Sequence, residues 1–139
     1  MTLVRITRGD FSIDEEIERV KAKSTKIGGI AIFLGTVRDV SKGENVENLR
    51  FEHYDEMALK MLEEIRGRAL HDFDVEEIIM IHRIGELSVG DNIVLIVVGA
   101  RHRSGAFKAC QWCIDELKKI VPIWKKEVTS DAESWVGGF

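Results

Sequence analysis

Residues 93–121 read IVLIVVGARHRSGAFKACQWCIDELKKIV, and the changes of pattern within them decide the architecture. Ile93 to Ala100 is an unbroken apolar run rich in β-branched residues, as expected of a strand covered on both faces. Arg101-His102-Arg103 follows at once, and from about Ser104 to Val121 the period becomes helical. Phe107, Cys110, Ile114, Leu117 and Val121 recur at intervals of 3, 4, 3 and 4, one apolar stripe. Pro122 ends that helix, because proline offers no amide donor and biases the residue before it away from helix.

Working outward, Val75 to Ile84 is a second apolar strand, joined to Asn92–Ala100 through the turn-rich GELSVGD, so the two are expected to be antiparallel. Glu56 to Leu70 reads as a helix with Met57, Leu62, Ile65 and Ala69 inward, after an alternating strand from Leu49 to Tyr54. Val40 to Asn48, with Ser41, Gly43 and Asn45, reads as a mobile loop. Lys26 to Val37 reads as a buried strand. Phe11 to Lys23 reads as a helix capped by Ser12, with Ile13, Ile17 and Val20 on its inner face. The order is α, β, β, α, β, β, α with a mixed tail. This is an α+β fold with a largely antiparallel sheet.

The 139 residues fit a single domain over 1–139 with a short C-terminal tail at 128–139. With 45% apolar and 32% charged residues, the chain can bury a core and does not have a disordered composition. The longest uncharged run, Ile27 to Val37, has 11 residues and is too short for a membrane span. No basic start leads into an apolar core with a small-residue cleavage site, so no secretory leader is expected. Two cysteines make no disulfide scaffold. A soluble protein of the cytoplasm is the expectation.

Charge is unevenly spread. The net charge is −4, yet Gly99 to Lys126 carries seven basic and two acidic residues, leaving the rest strongly acidic. A short basic segment on an acidic body suits a local anion site better than a nucleic-acid track. Arg101, His102 and Arg103 stand just before a helix N-terminus, where unpaired amides and the positive dipole end favour phosphate or carboxylate. Lys118 falls at the border of the apolar stripe, where partial desolvation would suit a proton donor, base or nucleophile. A lysine that only covers the core edge satisfies the same pattern. Past the proline, Trp124 can anchor the chain while Lys125 or Lys126 turns back toward the helix.

Cys110-Gln-Trp-Cys113 lies inside the helix, with Cys110 on its apolar stripe and no second CxxC, so packing is the expected role. His53, His71, His82 and His102 form no HxH or HExxH, and metal ligation is unsupported. Gly35-Thr36-Val37-Arg38 ends a strand in an arginine, a second anion contact if it lies near Arg103.

Five ordered motifs are GTVRD at 35–39, LRFEHYDEMA at 49–58, IHRIGEL at 81–87, GARHRSGAF at 99–107 and DELKKIVPIWKKE at 115–127. In these the chain, from about Phe11 through Trp135, resembles the large, catalytic subunit of molybdopterin synthase, the MoaE family. The resemblance implies a hammerhead-like α+β fold and a homodimer. It also implies a heterotetramer with two copies of a small ubiquitin-like sulfur carrier ending in Gly-Gly. The carrier's thiocarboxylate would give sulfur to cyclic pyranopterin monophosphate, and two transfers would build the dithiolene of molybdopterin. Lys118 and Lys125 are the implied catalytic residues. Thr36, Val37, Arg38, His102, Arg103, Lys126 and Glu127 are the implied substrate contacts. No metal, cofactor, nucleic acid or membrane is implied, since the pterin is substrate and sulfur arrives on the partner. Gly137-Gly138-Phe139 stand where some members place an arginine, so one phosphate contact is expected to be lacking or supplied elsewhere. A non-catalytic anion-binding or scaffold module that kept the fold is the alternative.

Overall fold

The computed structural model describes residues 3–41, 44–51, 56–120, 125–129 and 133–135. The elements are β1 (Val4–Thr7), α1 (Ile13–Lys23), β2 (Gly29–Thr36), β3 (Val40–Ser41), β4 (Glu44–Phe51), α2 (Glu56–Asp72), β5 (Glu77–Arg83), β6 (Gly85–Ser88), β7 (Asn92–Ala100), α3 (Arg103–Ile120), β8 (Lys125–Thr129) and β9 (Glu133–Trp135). One sheet has the order β1-β5-β7-β2. A second runs β3-β4-β8-β9, with β6 also paired to β4.

The two apolar runs are the central strands β5 and β7, antiparallel as expected, with Met80 opposite Ile96 and Ile78 opposite Val98. Alternate side chains enter different cores, which is why both runs are apolar without a break. Ile79, Ile81, Leu95 and Val97 join Val20 of α1 on one face. Ile78, Met80, Ile96 and Val98 join Leu62 and Ile65 of α2 and Cys113, Ile114 and Leu117 of α3 on the other. Each fully covered Ile or Val contributes about 1.5–3 kcal/mol. The result is a three-layer α/β/α arrangement centred on β7.

A cap closes one helix end, and ion pairs tie helices to strands. Ser12 Oγ accepts the Glu15 amide at 3.3 Å, the expected N-cap of α1. The inner face of α1 is less apolar than its spacing suggests, because Glu16 is buried and held by Arg5 at 2.7 Å and Arg19 at 2.8 Å. In α2, Ala58, Leu62, Ile65 and Ala69 are buried, whereas Met57, expected inward, is exposed. Glu77 is buried beside the Arg66 guanidinium and the Ile78 amide.

Three expectations change. Val40 to Asn48 is not a loop: β3 and most of β4 occupy it, with Val40 opposite Asn45. Polar residues are tolerated there because β4 needs its backbone, not an apolar core, to pair with β6 and β8. GELSVGD contains β6, whose Leu87 is buried in the main core. The N-terminal segment adds β1, which pairs parallel to β5 through Val4 and Met80. Among the described residues, no helix is long and apolar enough to cross a membrane.

Gly67 sits exposed in the interior of α2, and a Cβ there would meet nothing within 4 Å. Gly67→Ala removes only the entropic cost of a helical glycine. A thermal melt should therefore rise by about 2–3 °C, corresponding to roughly 0.5–1 kcal/mol.

Candidate active site

The basic turn after β7 is anchored by backbone. The Gly28 amide donates to the Ala100 carbonyl at 2.9 Å, and the Glu76 amide donates to Gly99 at 2.7 Å. His102 is the residue before α3, and its carbonyl accepts the Ala106 amide at 3.3 Å. Arg101 Nε lies 3.2 Å from Glu76 Oε1, so Arg101 is engaged by a carboxylate. His102 and Arg103 are exposed at the first turn of α3, where unpaired amides and the helix dipole favour an anion.

Arg38 lies at the other end of the same layer. β2 runs antiparallel to β7, with Gly29 opposite Ala100 and Thr36 opposite Asn92. Thr36 is exposed and Val37 is buried. The Val37 amide donates to Asp91 at 3.0 Å and its carbonyl accepts Gly90 at 2.8 Å. Gly90 has φ +90°, a value that a side chain would strain, and so shapes the turn that holds Val37. Arg38 projects, exposed, from this fixed segment.

α3 packs back along β7 and β2, so its last turn, with Lys118, returns to the Arg38 end. Lys118 is exposed rather than partly desolvated; Leu117 takes the core position. Lys119 pairs with Glu116. β8 starts at the same end, because Lys125 is opposite Phe51 and Phe51 is opposite Gly85, just beyond β5. Lys126 is opposite Arg50 and Glu127 opposite Leu49.

One chain therefore holds two half-sites. Thr36, Val37, Arg38, Lys118 and the backbone of Lys125, Lys126 and Glu127 gather at one end. His102 and Arg103 occupy the other. The sixteen residues of helix from Arg103 to Lys118 span about 22 Å, and β2 spans a similar length. A guanidinium reaches only about a third of that distance. Arg38 and Arg103 of one chain therefore stand at opposite ends of this layer.

Sequence reasoning missed the face between the ends. β2 is an edge strand of its sheet. Beside it runs an open groove of about 440 Å³ lined by Ala31, Ile32, Phe33, Phe107, Cys110, Gln111 and Ile114. Ile32 is 41% exposed and Phe107 64% exposed, although the stripe on α3 placed Phe107 inward. Ala106 and Ala109 face the core instead. The only hint in the sequence was that these alanines offer a second apolar stripe beside the first. Cys110 and Cys113 are buried, as packing requires, and burial pushes their thiols up to about 11 and about 12. His82 is a core residue whose Nδ1 lies 2.6 Å from the Arg83 carbonyl. His53, Trp124 and residues 136–139 lie outside the described residues.

Comparison with known proteins agrees with the motifs. The family described as MoaE protein matches residues 6–120. The molybdopterin synthase catalytic subunit of Pyrococcus abyssi is 54% identical over 129 residues, 93% of this chain and 86% of that one. The subunit of the same name from Vibrio cholerae is 41% identical over 133 residues, 96% of this chain and 88% of that one. Among solved structures, the molybdopterin synthase of Staphylococcus aureus superposes with a TM-score of 0.88 at 33% identity, covering 99% of each chain. It has the same α+β architecture.

The buried thiols should not react with a disulfide reagent at pH 8 in the native protein and should both react in guanidinium. Their raised values also set a sign. Unfolded thiols ionise near 9 while the folded ones stay protonated, so this contribution to stability is complete below pH 9 and declines as pH rises toward 11. Rapid native labelling would restore a redox role for the pair.

Proposed function

Since the chain belongs to the MoaE family, we propose that it is the catalytic subunit of a molybdopterin synthase, a sulfurtransferase of molybdenum cofactor biosynthesis acting in the cytoplasm. Its sulfur donor is the C-terminal thiocarboxylate of a small ubiquitin-like carrier, and its acceptor is cyclic pyranopterin monophosphate. The observation that carries the reading is the gathering of Arg38, Lys118 and the start of β8 at one end of the β2–α3 layer. The relatives' name, catalytic subunit, supports a second kind of subunit.

Each group has a task suited to its chemistry. Arginine guanidinium binds a phosphate through two parallel N–H donors, which suits Arg38 and Arg103 for the substrate phosphate and for charge that develops as the cyclic ester opens. Lys118 and Lys125 are amines suited to an acyl-sulfur intermediate and to proton transfer. Thr36 and Val37 fix the segment that carries Arg38, while Lys126 and Glu127 follow Lys125 on the strand. No cysteine of this chain is needed, since sulfur arrives on the carrier.

The two half-sites require a second copy. An isologous pair joined at the β2 edges would run antiparallel, bringing the Gly29 end of one protomer against the Thr36 end of the other. His102 and Arg103 of one copy would then face Arg38 and Lys118 of the other. Ile32 and Phe107 are the apolar side chains such a contact would cover. The homodimer completes the site and leaves the carriers free to dock one per site.

A single-turnover assay with thiocarboxylated carrier and cyclic pterin phosphate should give dithiolene product with wild type. Lys118→Ala should lose about 10²-fold or more. No product from folded wild type would favour the scaffold alternative. Phe107→Glu should shift the protein to monomer by light scattering and abolish turnover. Mixing Arg103→Ala with Lys118→Ala protomers should restore up to about a quarter of the wild-type sites, because each mixed dimer keeps one intact site. Absence of complementation, with exchange confirmed, would place the site within one chain.

A further inference from the structure

We infer that Gly28, Gly105 and the Glu76–Arg101 ion pair are positioning residues that hold His102 and Arg103 in their anion-facing geometry. The inference rests on the synthase reading above and adds residues to which none of the motifs gave a role. Its basis is the way two separate segments, one before β2 and one before β5, close on one turn. From below, the segment before β2 meets the turn so tightly that a Cβ at Gly28 would collide with the Arg101 carbonyl oxygen. From the side, a Cβ at Gly105 would lie 2.5 Å from the Asp74 carbonyl oxygen. Above it, the Glu76 carboxylate holds Arg101.

The surroundings decide which partner gives way. Gly28 is tied through its amide to Ala100, and Gly29 is already in register with that residue on β7. The segment following Asp74 is tied by the Val75 amide to Phe73 and the Glu76 amide to Gly99. Both walls are continuous with the central sheet. The turn at 101–103 follows directly on β7, but it and the residue after it are exposed, so an added methyl displaces this turn rather than the walls. Relief to an ordinary contact needs a shift of about 0.9 Å at Gly105. Gly29 differs, since its Cβ would stand 3.4 Å from the Arg103 Cα, close to ordinary packing. The tight contacts thus bracket the residues that present His102 and Arg103 while leaving those side chains exposed. Arg101, held by Glu76, orients the turn and is withdrawn from the anion.

Such a rigid mount matters because small displacements of a binding group cost disproportionately in rate. Gly28→Ala and Gly105→Ala should each lower kcat/KM by about tenfold or more in the single-turnover system. The decisive measurement is a double-mutant cycle. If Gly28 acts through Arg103, adding Gly28→Ala to Arg103→Ala should cost no more than about twofold further, whereas independent damage multiplies. Gly67→Ala serves as a control at wild-type activity. Melting temperature and dimer mass are followed in parallel. Glu76→Ala, which leaves every glycine contact in place, carries the same cycle if Gly28→Ala does not fold. Multiplying losses, or full activity in the glycine variants, would overturn the inference. Inactivity of wild type itself would instead remove the synthase reading, and the inference with it. Loss in Arg103→Ala beside wild-type rates in Gly28→Ala would leave the reading standing and remove only the positioning role.

Discussion

Burial of β7 on both faces is the constraint from which the rest of the molecule follows. A strand whose side chains enter two cores cannot lie at a surface, so a helical layer must cover each side. α1 supplies one layer through Val20, and α2 with α3 the other. Once α3 leaves the end of β7, the only covered path is back along that strand. The length of the strand thereby becomes the separation between the two ends of the helix. Lys118 is placed by that return.

This geometry sets two groups of basic residues apart on one short chain. The turn at 101–103 collects cations where backbone amides are unpaired, and the last turn of α3 delivers Lys118 to the opposite edge. Both are exposed, and both are built on stiff elements. Stiffness at the first comes from close backbone contact at Gly28 and Gly105, and at Val37 from paired hydrogen bonds to the Gly90–Asp91 turn. Between them lies the edge of β2, with Ile32 and Phe107 uncovered.

The buried charges point the same way. Glu16 and Glu77 lie in otherwise apolar surroundings, each neutralised by arginine from a neighbouring element. Removing one partner of such a pair leaves a desolvated charge, which costs far more than the pair contributes, so these contacts fix how α1 and α2 sit on the sheet. They were invisible in the spacing of α1, where Ile13, Ile17 and Val20 account for a helical face without Glu16. A carboxylate on an inner face becomes acceptable only when Arg5, from another strand, reaches it. No local pattern contains that information.

By itself, the sequence determined what depends on short-range periodicity and on backbone chemistry. The continuous apolar runs defined β5 and β7, Ser12 capped α1, and the cysteine pair in the last helix is buried. It also carried motifs specific enough to identify the family. Tertiary structure alone decided that Arg38 and Arg103 stand a helix length apart, that Phe107 faces outward while Ala106 and Ala109 face the core, and that polar residues 44–48 form a strand. The reason is physical. Periodicity shows that a face is apolar but not which neighbour covers it, and strand pairing is satisfied by backbone groups common to all residues but proline. Distances between segments far apart in sequence arise only when the layers close.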